Sequence, residues 1–183
     1  MKHPEILLLP LLMLADYFLT LIAAIQQGKK YSDHFKVEHY ELNPTWQASV
    51  AQRRWFNPKQ ILVTACFSAA VILLVGFGDL PERIADGLSG CVLILFAMVL
   101  ARHVNNLAIF RYIARHPDQV SGQVTMRHAM SLWLSLFHYC AATVPIALIA
   151  LFSGSAFAVG GCCAGMLLLG WHVRWIERAK RNS

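Results

Sequence analysis

Charged residues are scarce in this chain of 183 residues. They make up 14% of the sequence, against 57% for hydrophobic residues, whereas an ordinary soluble domain carries roughly 25% charged residues. Acidic residues are the scarcer kind, with 10 Asp and Glu against 16 Lys and Arg, so the net charge is +6. The composition excludes an ordinary soluble domain and predicts a membrane protein that crosses the bilayer several times.

The motifs that identify common enzymes and metal proteins are missing from the sequence. It contains neither H-E-x-x-H nor G-x-S-x-G, and it has no C-x-x-C or zinc-finger spacing of Cys and His. The five cysteines lie inside apolar stretches, where we interpret them as small packing residues. No basic stretch is interleaved with stacking aromatic residues in a known module, so nucleic acid is not an expected partner.

What the sequence does contain is five apolar stretches, each close to the ~20 residues that a helix needs to cross a bilayer. The predicted spans are Glu5–Gln26, Gln60–Phe77, Gly87–Phe110, Ser131–Phe152 and Ser155–Trp175. Ser153-Gly154-Ser155 is predicted to be the tight turn that separates the last two. The N-terminus has a poor basic region, so we expect a retained first span rather than a cleaved signal peptide. The fold predicted for residues 1–183 is one all-α membrane domain, a bundle of five transmembrane helices.

The basic residues predict how this bundle is oriented. On a five-span layout, Lys2 and Arg83 lie on one side, thirteen other Lys and Arg lie on the opposite side, and Arg102 is inside the third span. Such a bias places the N-terminus outside and the C-terminus in the cytoplasm. Anionic lipid headgroups, which attract each nearby basic residue by roughly 1 kcal/mol, are then the expected partners of the basic side.

The first cytoplasmic connection, residues 27–59, is too long for a simple turn. Its second half, Trp46–Phe56, carries Trp46, Val50 and Trp55 among polar and basic residues, a pattern that predicts a short helix at the membrane interface. Arg53 and Arg54 would then point toward phosphate groups. We therefore include both among the predicted substrate-binding residues.

Ionisable residues inside the spans are the strongest indication of a functional site. Asp16 lies in the middle of the first span, where a charge costs roughly 2.5–3.5 kcal/mol or more. At ~1.5 Å per residue, His103 and His138 are predicted about 10 Å, and Asp16 about 15 Å, from the cytoplasmic end of the hydrocarbon. We expect these side chains, with Arg102 and Asn106, to converge in the inner half of the bilayer.

The residue types suggest roles for this cluster. We predict Asp16, His103 and Glu41 as catalytic residues, and His103, His138 and Asp16 as ligands of a divalent metal such as zinc, which would activate water. The predicted substrate-binding residues are Arg102, Asn106, Asn43, Arg53 and Arg54. Structural roles stay open: a counter-ion for Asp16, a packing histidine, an amide between helices, or an ordinary turn at Glu41.

The first third of the chain resembles a known pattern. Asp16-x-x-x-Thr20, then Glu41-x-Asn43-Pro44, then Lys59 is similar to a pattern in small uncharacterised bacterial integral-membrane families. The resemblance implies a protein of the bacterial inner membrane in which Asp16, Glu41, Asn43 and Pro44 act together. It implies no particular activity.

Several functions fit these features. An intramembrane enzyme acting on a lipid or lipid-linked substrate uses the chemistry of the cluster best. A non-catalytic subunit or scaffold, bound to a protein partner or to copies of itself, fits the small size. A haem or quinone protein with His103 and His138 as paired ligands, and a small transporter, are further alternatives.

Overall fold

The computed structural model describes residues 1–37, 40–43 and 45–181. Within them the helices, labelled α1 to α7, are Leu9–Gln26, Ser32–His34, Gln47–Ala51, Pro58–Ile72, Glu82–Arg115, His128–Ser153 and Ala156–Arg181. Short 3-10 or π turns lie beside them at Pro4–Leu8, Gln27–Tyr31, Leu73–Phe77 and Pro117–Gln119. Two strands, β1 and β2, are Phe35–Val37 and Val124–Met126.

Five helical segments of the described chain are long and apolar enough to cross a membrane, judged by length and composition. They are Pro4–Lys29, Pro58–Phe77, Glu82–Arg115, His128–Ser153 and Ala156–Arg181. This confirms the predicted all-α fold and the presence of five helices long and apolar enough to be spans. The helices extend past the predicted spans because hydropathy marks the part that lies in hydrocarbon, whereas backbone hydrogen bonding continues beyond it.

Local sequence explains where the helices begin and end. Asn57 caps α4, since its side chain accepts hydrogen bonds from the backbone N–H groups of Lys59 and Gln60. Pro58 follows in the first turn, where a missing N–H costs nothing. Gly154 ends α6 with φ +62°, a left-handed conformation that favours glycine. The predicted turn between the last two spans is thereby confirmed.

The five long helices lie side by side in the order α4, α1, α5, α7, α6. Helix α1 packs against α4 and α5, and α7 packs extensively against α5 and α6. In the described structure α4 makes its helix contacts mainly with α1, so α4 and α7 stand on either side of the α1–α5 pair. A groove remains between α4 and α7.

Small residues let α5 and α7 approach each other closely. A Cβ added at Gly160 of α7 would overlap the carbonyl oxygen of Gly87 in α5. One added at Gly90 of α5 would overlap the carbonyl oxygen of Phe157 in α7. The two backbones are therefore in contact, as small-residue seams in membrane helices allow.

The long connections meet at one end of the bundle, here called the basic end, which holds residues 27–57 and 116–127. Strands β1 and β2 pair in parallel, with Phe35 opposite Val124, and so join the two connections. The Tyr17 hydroxyl of α1 donates a 2.6 Å hydrogen bond to the carbonyl oxygen of Arg54. Helix α3, which lies within the segment predicted as interfacial, is thereby held against the bundle.

Candidate functional site

A cavity of about 680 Å³ occupies the groove between α4 and α7. Its floor is formed by α1 and α5, and part of its wall by residues 41–43, 45 and 46 of the basic end. A volume of this size is typical of small-molecule sites, which range over ~300–1,000 Å³. Its lining combines ionisable and apolar groups, so the cavity suits an amphiphilic ligand.

The first polar element of the cavity comes from α1. Asp16 and Thr20 are one helical turn apart, so both side chains face α5. Asp16 Oδ1 lies 3.0 Å and Thr20 Oγ1 lies 3.1 Å from Nε2 of His103. The Thr20 hydroxyl donates its proton to the Asp16 carbonyl oxygen, 2.8 Å away. It therefore accepts a hydrogen bond from the His103 N–H.

This arrangement leaves the Asp16 carboxylate able to accept further hydrogen bonds. Asp16 Oδ1 is buried and has no well-aligned hydrogen bond within the described structure, because the ring N–H of His103 is directed to Thr20. The Asp16 side chain is 27% exposed, whereas that of His103 is 3% exposed. Asp16 is thus the group that a ligand can reach, and His103 lies behind it.

Tyr40 covers the other side of the His103 ring. Its hydroxyl lies 3.5 Å from Nδ1 of His103, and it also interacts with Asn106. Burial raises the pKa of Tyr40 to about 12, so it remains a phenol at neutral pH. A phenol donates to Nδ1, which agrees with a proton on Nε2.

Glu41 and Asn43 form a turn that closes the cavity at the basic end. The backbone N–H of Asn43 donates a 2.7 Å hydrogen bond to Glu41 Oε1, and Asn43 Oδ1 accepts one from the N–H of Thr45. Both Glu41 and Asn43 line the cavity. Pro44, the last member of the predicted Glu41-x-Asn43-Pro44 element, lies outside the described residues.

Burial raises the pKa of Glu41 from its ordinary value of 4.5 to about 7. The hydrogen bond from Asn43 and the positive charge of Arg102 both oppose this rise, and the charge of Asp16 adds to it. Near neutral pH the side chain therefore exchanges a proton readily, which suits a general acid or base.

This raised pKa predicts a pH-dependent stability. The folded state holds a proton on Glu41 that the unfolded state releases above about pH 4.5, so stability falls as pH rises toward about 7. We expect Glu41→Gln to remove this dependence and to melt at a higher temperature than the wild type at about pH 8. Melting curves in detergent at about pH 5 and about pH 8 measure it. Glu82→Gln, at an exposed site in the first turn of α5, is the control for charge removal.

Arg102 anchors a second polar element, on the side of the cavity nearest α6 and α7. Its Nη1 donates to Ser135 Oγ at 2.7 Å, and Ser135 Oγ lies 3.0 Å from His172 Nε2. His172 Nδ1 donates to the carbonyl oxygen of Leu168 at 2.8 Å. The Ser135 hydroxyl therefore donates to His172, and one chain of hydrogen bonds crosses three helices.

The Arg102 guanidinium is fixed in position, but its charge is not neutralised by a carboxylate of the described structure. Its carbon lies 5.6 Å from the centre of the Tyr139 ring, a cation–π distance. Its Nε is buried without a hydrogen bond, and within the described structure no carboxylate lies within ion-pair distance of it. An anionic group entering the cavity would supply the missing partner.

The remaining lining residues make one end of the cavity apolar and the other end basic. Apolar residues of three helices line the part away from the basic end; they include Met13, Phe67, Val92, Phe96 and Val99. Val63 and Phe67 are 40% and 42% exposed, so the cavity opens sideways between α4 and α7. Arg174 and Arg178, together with Trp171 and Trp175, line it on α7 toward the basic end.

The structure brings together most of the predicted site. Asp16, His103, Arg102, Glu41 and Asn43 all line this one cavity. Asn106 is adjacent through Tyr40 but is not part of the lining. Arg53 and Arg54 are exposed and lie outside the lining. The backbone carbonyl oxygen of Arg54 is tied to the bundle by Tyr17, and a role of the two guanidiniums in binding a headgroup stays a prediction.

His138 is the clearest departure from the predicted site. It is exposed, because the buried face of α6 is set by Leu132, Ser135 and Tyr139, and the 100° turn per residue carries His138 away from it. Among the described residues no group of three or more His, Cys, Asp or Glu side chains is arranged to hold a metal ion. Asp16 and His103, two of the three predicted zinc ligands, lie 3.0 Å apart, whereas His138, the third ligand and the predicted haem partner of His103, lies on the exposed face of α6.

Several groups at or beside the cavity were not predicted from the sequence. Arg174, Arg178 and His172 line the cavity and Tyr40 lies against His103, yet none of them was among the predicted site residues. The spacing of Arg174 and Arg178 by one helical turn was visible, but their position at the end of the last span was explained by orientation alone.

Comparison with known proteins adds no relative to this picture. No family model matches the chain, and no curated protein or solved structure is similar enough to match it. The site therefore has to be interpreted from its own geometry.

Proposed function

We propose that this protein is an integral membrane enzyme that performs acid–base chemistry on the headgroup of a lipid or lipid-linked substrate. One observation carries the proposal: a single cavity joins an apolar opening between α4 and α7 to a cluster of ionisable groups. A lipid tail fits the apolar part, and its headgroup then lies beside Asp16 and Arg102.

In this proposal each polar group has a defined task. Asp16 faces the ligand and accepts a proton from the attacking water or hydroxyl group. His103 lies behind its carboxylate, 3.0 Å from Oδ1, and Thr20 holds the His103 ring by a hydrogen bond, while Arg102 pairs with the anionic headgroup. Glu41, whose pKa is raised to about 7, returns a proton to the leaving group. This assignment uses the described side chains and does not depend on the metal site predicted from His138.

We also propose the orientation and location of the protein. Thirteen of the sixteen Lys and Arg residues fall on the side of the five-span layout that holds the basic end, which favours the cytoplasmic side for this end and the outside for the N-terminus. The headgroup would then react at the cytoplasmic leaflet, with α3 at the interface. Location in the inner membrane of a bacterium rests on the resemblance of Asp16-x-x-x-Thr20 and Glu41-x-Asn43-Pro44 to bacterial families.

The proposal is tested by filling the cavity. Vesicles made from the total lipid of the expression host, with and without purified protein, are compared by mass spectrometry for a lipid that is consumed and a product that appears. We expect Val99→Trp, which places an indole in the cavity, to abolish this conversion. Val104→Trp is the matched control, since Val104 lies on the same helix but is 54% exposed and outside the cavity lining. If no lipid changes, or if both variants are equally active, the proposal is wrong.

A further inference from the structure

The cations that line the cavity are more numerous than one anionic group needs. Arg102 lies at its polar end, and Arg174 and Arg178 line it further toward the basic end. In the described structure none of these three guanidiniums is within ion-pair distance of a carboxylate. Each is therefore available to an anionic group of a ligand.

The three guanidiniums lie at three different depths along the cavity. Arg102 lies at the level of His172, to which it is linked through Ser135. Arg174 and Arg178 follow His172 by two and six residues on α7, which at ~1.5 Å per residue places them roughly 3 and 9 Å nearer the basic end. One phosphate or carboxylate at Arg102 would leave the two outer guanidiniums without a partner. A headgroup with two linked anionic groups reaches both levels.

The carboxylates in the cavity do not cancel this positive charge. The cavity lining contains two acidic residues, Asp16 and Glu41, against three guanidiniums, and Glu41 is partly protonated near neutral pH because burial raises its pKa to about 7. Two of the guanidiniums are at the exposed end, where they meet a headgroup that enters with its tail between α4 and α7. Planar guanidinium groups bind phosphate oxygens in pairs, which gives both affinity and orientation.

We propose that the ligand of this cavity is a lipid diphosphate. Arg102 holds the phosphate that is attached to the lipid tail, and Arg174 and Arg178 hold the terminal phosphate. This assignment rests on the proposed function, because it takes the lipid-binding role of the cavity as given and specifies the headgroup.

Binding measurements on the detergent-purified protein test the assignment. The probes are dodecyl diphosphate, dodecyl phosphate, laurate and inorganic diphosphate, with affinity taken from native mass spectrometry or from the shift in melting temperature. We expect dodecyl diphosphate to bind at least about tenfold more tightly than dodecyl phosphate, and inorganic diphosphate to bind weakly because it lacks the tail.

Substitutions locate the terminal phosphate. The double variant Arg174→Gln with Arg178→Gln is expected to reduce the preference for diphosphate over monophosphate to about onefold, because only those side chains reach the outer group. Arg181→Gln is the matched control, since Arg181 lies on the same helix beside these residues but not in the cavity lining. We expect it to leave the preference unchanged.

The outcomes separate the two proposals. If dodecyl phosphate or laurate binds as tightly as dodecyl diphosphate, the diphosphate assignment is wrong and the lipid site stands. If inorganic diphosphate binds as tightly as the dodecyl compound, the ligand is soluble and the lipid part of the assignment is wrong. If none of the amphiphiles binds, the proposed function itself is contradicted. An equal loss of preference in Arg181→Gln would show a general effect of surface charge and would also overturn the assignment.

Discussion

Asp16→Asn is expected to lower the rate of lipid conversion by about 10²–10⁴-fold while leaving the amount of folded protein unchanged. A factor of this size is typical when a general acid or base is removed. Asparagine keeps the shape of the side chain and can still approach Nε2 of His103, which lies 3.0 Å from Oδ1 in the wild type. It cannot accept the proton. Turnover in vesicles, normalised to the monodisperse protein recovered by size exclusion, measures the effect.

Two further histidine variants complete this experiment. His103→Gln removes the group that holds Asp16 and is expected to reduce turnover strongly and to change its pH profile. His138→Ala is the control, because His138 is exposed and lies outside the cavity lining. We expect it to behave as the wild type. If His138→Ala were inactive, a metal site including His138 would regain support. If Asp16→Asn lost folded protein in proportion to activity, a structural or scaffold role would explain the cluster better.

Gly160→Val is expected to prevent the bundle from assembling correctly. Its first side-chain atom would overlap the carbonyl oxygen of Gly87, so α5 and α7 would have to separate. Forcing extra atoms into a packed interior typically costs about 1–3 kcal/mol, and the contact with rigid backbone places this substitution at or above the upper limit. We expect a fall in melting temperature of roughly 6–12 °C or complete loss of folded protein. Fluorescence-detected size exclusion with a melting curve in detergent measures it.

Gly170→Val provides the matched control on the same helix. An added Cβ there meets no atom within 4 Å, so the same change in residue type is made in open space. We expect its melting temperature to stay within about 2 °C of the wild type, since surface substitutions typically change stability by about 0.5 kcal/mol or less. Equal destabilisation by both variants would mean that helix propensity, and not the contact with Gly87, explains the result.

The fold was largely predictable because a bilayer imposes strict requirements on a chain. Each span must bury its backbone hydrogen bonds within itself and must be about 20 residues long, so the number of helices follows from apolar length. The turn at Gly154 was predictable for the same reason. The lateral order α4, α1, α5, α7, α6 was not, because it depends on which surfaces fit together. Hydropathy carries no information about which helix surfaces fit together.

Part of the site was predictable from the free-energy cost of placing ionisable residues in hydrocarbon and from their positions along the spans. Asp16, Arg102 and His103 are expensive in hydrocarbon, and a chain retains such residues where protein covers them. Depth alone could not decide which way each side chain points. His103 and His138 were predicted at the same depth, yet one is buried beside Asp16 and the other is exposed. The packing of each helix sets its rotation about its own axis, and this rotation places His103 on a buried face and His138 on an exposed face.

The sequence by itself determined that five segments are long and apolar enough to cross a membrane, that most basic residues fall on one side of this five-span layout, and that ionisable residues lie within the spans. These properties follow from composition and order along the chain. Only the tertiary structure decided that α4 and α7 stand apart, that Tyr40 and Glu41 fold back onto the cluster, and that Arg174 and Arg178 join Arg102 in one cavity. Such contacts join residues far apart in sequence, and their formation depends on how side chains of different helices fit one another.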